Sequence, residues 1–428
     1  MKKILAFIVA ALMALSLCGC DKLEQLKQIE IPTPSEEPTE SAAPEETAVP
    51  EETAAPIASA PESFVTVSIN EHRETYYAPD DESQLILDFS YETPTVHIDG
   101  RDAASEKIND FIAALDEEYY TGNNYVEGPG VGISGMLDLA YDNLTYVREY
   151  GGNGNLTMAS NRGVQVTRGD DRLISLLYSD YQYTGGVHGI YGYTGYIFDT
   201  ETGERITLDK LSPDPEAFKT WLTAAMVEQV NSSEELRQEI SSSDLEGSLS
   251  ALIREGSWYL GNEGLTVFSS VYEIASYAAG VIDFTFSYDE IAPYIDARWL
   301  PAEYSGSGEL EALAPDALPA GTEIIDKVSV GSADTPLCIK ANGEVYNVRI
   351  YSVEYADFDS RFYVTAQHWY CSYMNDSAIQ LVTLIPDGIP NLMISYFDAQ
   401  GVMHSKLVSQ SGMDGSFLLI DDDIEVLG

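Results

Sequence analysis

Strand-like and helix-like segments come in blocks in this sequence, and that grouping constrains the fold more than any other feature. β-Branched and aromatic residues with a partial period of two mark residues 64–69 and 85–91 as strands. A helical block follows. Ile108, Phe111, Ile112, Leu115 and Tyr119 recur at helix spacing within 102–119, and a second helix over 136–150 stops at Gly151-Gly152-Asn153-Gly154. Strands over 164–167, 173–183 and 191–199 come next, with a hairpin turn at Thr202-Gly203. Helices over 215–230 and 234–255 then precede strands over 265–271 and 281–288. A regular βαβ alternation would build a parallel sheet; blocks of this kind predict an α+β fold, an antiparallel sheet with packed helices.

Two stretches interrupt the pattern. Residues 20–62 follow a candidate lipidated cysteine with a Pro- and Glu-rich tract, holding seven of the chain's 19 prolines, eleven acidic and two basic side chains and no aromatic residue. Such a tract cannot bury enough surface to offset chain entropy, so it reads as a disordered tether. Its reach is roughly 40 Å as a flexible coil and about 130 Å in full polyproline extension. Residues 304–321, with Ser-Gly-Ser-Gly, Pro315 and Pro319, read as a second linker. They divide an α+β domain over 63–303 from a smaller all-β domain over 322–428, whose short strands (345–353, 362–368, 380–385, 392–397) are separated by turns.

The first nineteen residues read as an address. Lys2 and Lys3 precede an apolar run over 4–17 that is too short for a spanning helix, and Leu17-Cys18-Gly19-Cys20 looks like a bacterial lipobox. Gly19 supplies the small residue before the cleaved bond, so Cys20 is the lipidation candidate. The expected location is the outer surface of the cell membrane in a bacterial envelope, held by a lipid anchor. Seventy acidic against 22 basic side chains leave a net charge of −48. Duplex phosphates need a basic footprint, so nucleic-acid binding is excluded, while a cationic partner is favoured.

Two segments carry a resemblance. One is Tyr183-Thr184-Gly185-Gly186-Val187-His188-Gly189, followed by Phe198-Asp199 and Gly203 and by Leu208-Asp209-Lys210-Leu211; the other is Tyr272-Glu273-Ile274-Ala275-Ser276-Tyr277-Ala278-Ala279-Gly280. Together they resemble the RsiV-like extracellular domain family, a domain of unknown function of the DUF 3298 type, also found as the accessory region of PdaC-type peptidoglycan deacetylases. Family members commonly have Ala where this chain has Val187 and Pro where it has Ser276, so the chain resembles a divergent member. The resemblance covers about residues 70–298. It implies an α+β extracellular recognition domain with lysozyme as partner, and carries no catalytic set; cell-wall glycan is a separate alternative partner.

The residues themselves leave several alternatives open. Tyr183, Gly185, Gly186, His188, Gly189, Tyr272, Glu273 and Tyr277 are the ligand-binding candidates. His188 is read as a structural turn residue, a ligand contact, or the base of a wall-glycan hydrolase or deacetylase paired with Asp199 or Glu273. Tyr178, Tyr181, Tyr183, Tyr191, Tyr193 and Tyr196 divide between core packing and an exposed platform that could stack on a sugar or anchor a protein. A carbohydrate-binding module without turnover is a further reading. The five histidines form neither HxH nor HExxH, and no nucleophile elbow, P-loop or dinucleotide-binding glycine pattern appears. No cofactor or metal is therefore expected, and Asp421-Asp422-Asp423 with Glu425 reads as a solvated acidic terminus. Cys338 and Cys371 are either a disulfide or two buried free thiols.

Overall fold

The computed structural model describes residues 61, 63–122, 132–151, 157–302, 308–318, 320, 323–329, 335–356, 361–376, 379–385, 392–398, 401–410 and 417–421. Cys20, the tether and the acidic residues Asp422, Asp423 and Glu425 lie outside them. The fold is α+β. In chain order it opens with a long hairpin, β1 (Val65–Ala78) and β2 (Asp81–Ile98), then α1 (Asp102–Thr121) and α2 (Ile133–Tyr150). The strands β3 (Met158–Gly169), β4 (Leu173–Tyr183) and β5 (Ile190–Asp199) follow. A helical block comprises α3 (Leu208–Leu211), α4 (Pro215–Ser232), α5 (Glu234–Glu239) and α6 (Leu245–Leu252). It leads into a small antiparallel sheet of β6 (Trp258–Leu260), β7 (Gly264–Phe268) and β8 (Asp283–Ser287), closed by α7 (Tyr288–Ile291).

The C-terminal part is strand-rich: β9 (Glu309–Leu313), β10 (Glu323–Ser329), β11 (Thr335–Asn342), β12 (Val345–Ala356), β13 (Arg361–Met374), β14 (Ile379–Ile385), β15 (Leu392–Phe397), β16 (Met403–Gln410) and β17 (Phe417–Asp421). Five of these strands do not form a sheet of their own. They continue the N-terminal strands into one ten-stranded sheet, in the order β17-β16-β15-β12-β13-β1-β2-β3-β4-β5. The join is β1, which pairs β2 along its length and β13 through Thr66↔Cys371, Val67↔Tyr370 and Ser68↔Trp369. The sheet is antiparallel except where β2 runs parallel to β3. The stretch read as a linker also contributes a strand, since β9 pairs β11 at the edge of a second, four-stranded sheet.

Alternation explains which side of each strand is covered. Val65, Val67 and Ile69 on β1 are buried and meet Ile108 and Ile112 of α1, Val166 of β3 and Tyr370 of β13 in one core. Asn109 fixes α1 in place: its side-chain amide accepts from Val96 N–H and donates to Val96 C=O, both at 2.8 Å. A second core lies under the helical block, where Phe218, Leu222 and Met226 of α4 pack with Leu260, Val267, Phe284 and Phe286 of the small sheet. α4 starts where Asp214 accepts from Ala217 N–H with Pro215 in the first turn. In the C-terminal part, Leu337, Ile339 and Ala341 of β11 face Val348, Ile350, Trp369 and Cys371 of the large sheet.

That alternation also decides the cysteines. Cys338 lies between Leu337 and Ile339, so its side chain leaves the opposite face of β11 from the one that meets Cys371. Both are buried free thiols, the second of the two readings left open by the sequence. The Cys371 thiol donates to Tyr373 C=O at 3.1 Å, and burial pushes its pKa up to about 12.

Glu92 makes the core sensitive to pH. It stands directly across from Glu71, and its Oε2 accepts from Val164 N–H at 2.8 Å. Burial raises its pKa to about 7; the Val164 bond opposes that shift and Glu71 adds to it. A carboxyl that holds its proton more tightly when folded stabilises the fold below its unfolded value, and that contribution is lost as pH rises through about 7. Replacing Glu92 by Gln keeps the Val164 bond and removes the charge. Between pH 5 and 8, E92Q should therefore lose less stability than the parent chain, by an amount on the order of 1–3 kcal/mol. Urea midpoints at the two pH values test this, and parallel shifts in both proteins would refute it.

Candidate functional site

The two motifs meet at one end of the β4–β5 hairpin. The turn between these strands is built on Gly185 (φ 98°) and Gly186 (φ 101°), where an added Cβ would meet open space. The glycines are thus present for a left-handed backbone and not for close packing. Tyr183 closes the turn by donating its hydroxyl to Gly186 C=O at 2.9 Å. Val187 stands at the tip, 99% exposed, and Ile190 is 62% exposed.

The second motif lies against this turn. Tyr277 donates its hydroxyl to Gly189 C=O at 2.7 Å, and its ring stacks on His188 with centroids 3.8 Å apart. Tyr272 also reaches His188, with its hydroxyl 3.2 Å from Nε2 and its ring centroid 5.4 Å from that of Tyr277. It does so from a left-handed conformation (φ 66°) that a bulky residue rarely adopts, and it remains 58% exposed. His188 Nδ1 lies 3.0 Å from Gly189 C=O. A carbonyl only accepts, so the network assigns the proton to Nδ1 and leaves Nε2 to accept from Tyr272. Burial raises the pKa of Tyr277, which keeps its hydroxyl a donor.

The carboxylates expected beside His188 are engaged elsewhere. Glu273 forms a two-point ion pair with Arg254 (2.6 and 3.2 Å) and accepts from Ser270 N–H at 2.7 Å. It therefore braces the loop that presents Tyr272. Asp199 accepts from Arg298 at 2.7 Å and from the amides of Glu201 and Thr202, which makes it the organiser of the turn before Gly203. Neither has a bond to His188, whose ring nitrogens meet a tyrosine hydroxyl and a backbone carbonyl. That arrangement orients a ring; a hydrolytic base would need a carboxylate or a nucleophile in its place.

The tyrosine cluster divides between core and surface. Tyr178 is fully buried, and Tyr196 packs edge-on against it and against Phe111 of α1. Tyr193 meets Phe268 of the small sheet, while the Tyr181 ring lies where a Cβ on Gly189 would be, 2.5 Å away. The exposed platform is made instead by Val187, His188, Ile190 and Tyr272. Val187 and Ile190 were not among the expected site residues; the available signal was an apolar side chain following a Gly-Gly turn. Among the described residues, no group of three His, Cys, Asp or Glu side chains is placed to hold a metal ion. None of the described helices is long and apolar enough to cross a membrane.

Residues 211–289 match the model of a family described as a protein of unknown function (DUF3298). The matched stretch runs from the end of α3 through the small sheet, and it contains Tyr272, Glu273 and Tyr277 but not the β4–β5 turn. Over that stretch the chain is similar to a DUF3298 domain of unknown function. Similar solved structures include a DUF3298 family member from Bacteroides fragilis, 16% identical, covering 54% of this chain and 94% of its own, with a TM-score of 0.41. Another is a DUF3298 family protein from Pseudomonas aeruginosa, 13% identical, covering 55% of this chain and 97% of its own, with a TM-score of 0.37. No curated protein matches the chain.

Proposed function

We infer that this is an RsiV-like recognition protein of the bacterial envelope, lipid-anchored through Cys20, whose aromatic tip binds an extracellular cationic protein, with lysozyme as the first candidate. The observation that carries the reading is the meeting of two motifs some ninety residues apart at one exposed patch of Val187, His188, Ile190 and Tyr272. Exposed apolar and aromatic side chains held rigidly by a hydrogen-bonded turn are the usual anchors of a protein interface. The net charge of −48 favours a cationic partner and speeds its approach.

Calorimetric titration of residues 63–428 with lysozyme at physiological salt tests the reading, beside an unrelated cationic protein of similar size. The expected result is a saturable one-to-one isotherm with lysozyme alone. Substituting Val187→Asp, at a position with no core contact to lose, should weaken binding by roughly thirtyfold or more, the effect of losing an interface anchor. Equal weak binding to both proteins, no binding, or an unchanged isotherm for V187D would overturn it.

A further inference from the structure

Tyr272 stands where a glycine belongs. The segment between β7 and β8 opens with a turn, Ser270-Val271-Tyr272-Glu273. Glu273 N–H donates to Ser270 C=O at 3.2 Å, and Ser270 N–H donates to Glu273 Oε2 at 2.7 Å. Tyr272 is the third residue of this turn and has φ 66°. Turns that need a positive φ at that position fill it with glycine or asparagine, because a Cβ there crowds the backbone. Among the described residues, the other non-glycine with a positive φ is Asn347, at 51°. Asparagine tolerates that conformation, and Asn347 is buried with its Oδ1 accepting from the Tyr370 hydroxyl. Neither reason holds for Tyr272, most of whose side chain stands in water.

The surroundings impose the conformation. Ser269 N–H donates to Ile282 C=O at 2.9 Å and Ile282 N–H donates to Ser269 Oγ at 3.0 Å, which pins the two ends of the segment together. Its middle is tied to the helical block by the bridge between Ala275 and Ile240, and Glu273 is held by Arg254. Val271 and Ile274 are buried, so the turn cannot roll over to relieve the residue between them. The hydroxyl bond to His188 then fixes where the Tyr272 ring points. A backbone strain that neighbours over-determine, kept beneath an exposed side chain, is the signature of a residue that acts on something outside the fold.

We propose that Tyr272 is the specificity-determining residue of the tip. Its turn gives up stability to hold an aromatic side chain preset for the partner, so that no ordering of that side chain is left to be done on binding. The inference rests on the reading of the tip as a site for a cationic protein. It adds that Tyr272 contributes to binding and not to folding.

The test compares three variants of the whole chain by urea unfolding and by calorimetric titration with lysozyme at physiological salt. Tyr272→Gly and Tyr272→Asn suit the turn and remove the ring. Both should unfold at a midpoint equal to or above the parent's, with unchanged slope, and both should bind lysozyme about tenfold or more weakly. Tyr272→Ala removes the ring but leaves a Cβ in the turn. Its binding should match that of Y272G, while its midpoint falls below that of Y272G, which isolates the strain from the contacts of the ring. A Y272G midpoint below the parent's would make Tyr272 a structural residue and overturn the proposal. So would equal midpoints for Y272G and Y272A, or parent-like binding by any of the three. Binding lost in V187D but kept in Y272G would sink this inference alone and leave the reading of the tip standing. A parent chain that binds no lysozyme would overturn that reading, and this inference with it.

Discussion

Replacing Arg168 by alanine is expected to destabilise the chain by about 3–5 kcal/mol, the cost of breaking a buried charge pair by removing one partner. Arg168 lies at the end of β3 and is only 2% exposed. Its guanidinium pairs with Asp170 at 2.6 Å and donates to the Tyr288 hydroxyl and to Trp299 C=O, each at 2.7 Å. Burial by itself would lower its pKa; Asp170 and Tyr288 outweigh that, and the net shift is upward. One side chain thus ties the β3–β4 turn to the segment that closes the helical block. The alanine variant strands the Asp170 carboxylate, which keeps only the Arg172 and Leu173 amides as donors. Lysine restores the charge but not the fork, so R168K should fall between the two. Urea unfolding reads the effect as a lower midpoint at constant slope. A loss below about 1 kcal/mol would mean that water replaces the guanidinium, contrary to a buried pair.

The parts of this fold that depend on neighbouring residues were legible in the sequence, and the parts that depend on distant ones were not. The strands 173–183 and 392–397 have the expected bounds, and α1 buries Ile108, Ile112 and Tyr119 at the expected spacing. The single helix expected over 234–255 is two, because local chemistry outweighs periodicity there. Asp244 accepts from Gly247 N–H to start α6, and Ile240 bridges to Ala275 between the two helices. That cap was readable; the bridge partner was not. The strand β9 inside the apparent linker exists because β11 supplies its hydrogen bonds, and Ser-Gly-rich flanks conceal it. The pairing of β1 with β13 joins residues about three hundred positions apart, and no periodicity encodes it.

The site divides in the same way. The glycine turn, His188, Tyr272 and Tyr277 were legible as motifs, and the structure brings them into contact. The commitment of Glu273 to Arg254 depends on a tertiary neighbour, as does the burial of Asp116. An acidic residue on a helix reads as solvated from sequence, and only the packing of α1 against β2 makes it otherwise. Cys338 and Cys371 were undecided because the answer depends on which face of β11 meets the large sheet.

Trp369→Ala should also cost about 3–5 kcal/mol, as large buried aromatics do, and its consequence should extend beyond its own sheet. Trp369 is fully buried between the two C-terminal sheets. Its indole N–H donates to Asp326 Oδ2 at 2.8 Å, and Ser68 of β1 donates to the same oxygen at 2.5 Å. The residue also holds the register of β13 against β1 through Ser68↔Trp369. Its neighbour Tyr370 belongs to the core under α1, and donates to Gly169 C=O at the end of β3. Unfolding of the C-terminal strands therefore uncovers the edge and the core of the N-terminal ones. The chain has four tryptophans, and in W369A the three that remain, Trp221, Trp258 and Trp299, all pack in the core under the helical block. Their fluorescence then reports that half alone, while far-UV dichroism reports the strands of both. The two signals should shift to the same lower urea midpoint, because the ten-stranded sheet makes one cooperative unit of both halves. Midpoints that separate, with fluorescence left at the parent value, would mean that the β1–β13 pairing joins two independently stable domains, and the boundary at 304–321 would then be one of folding as well as of composition.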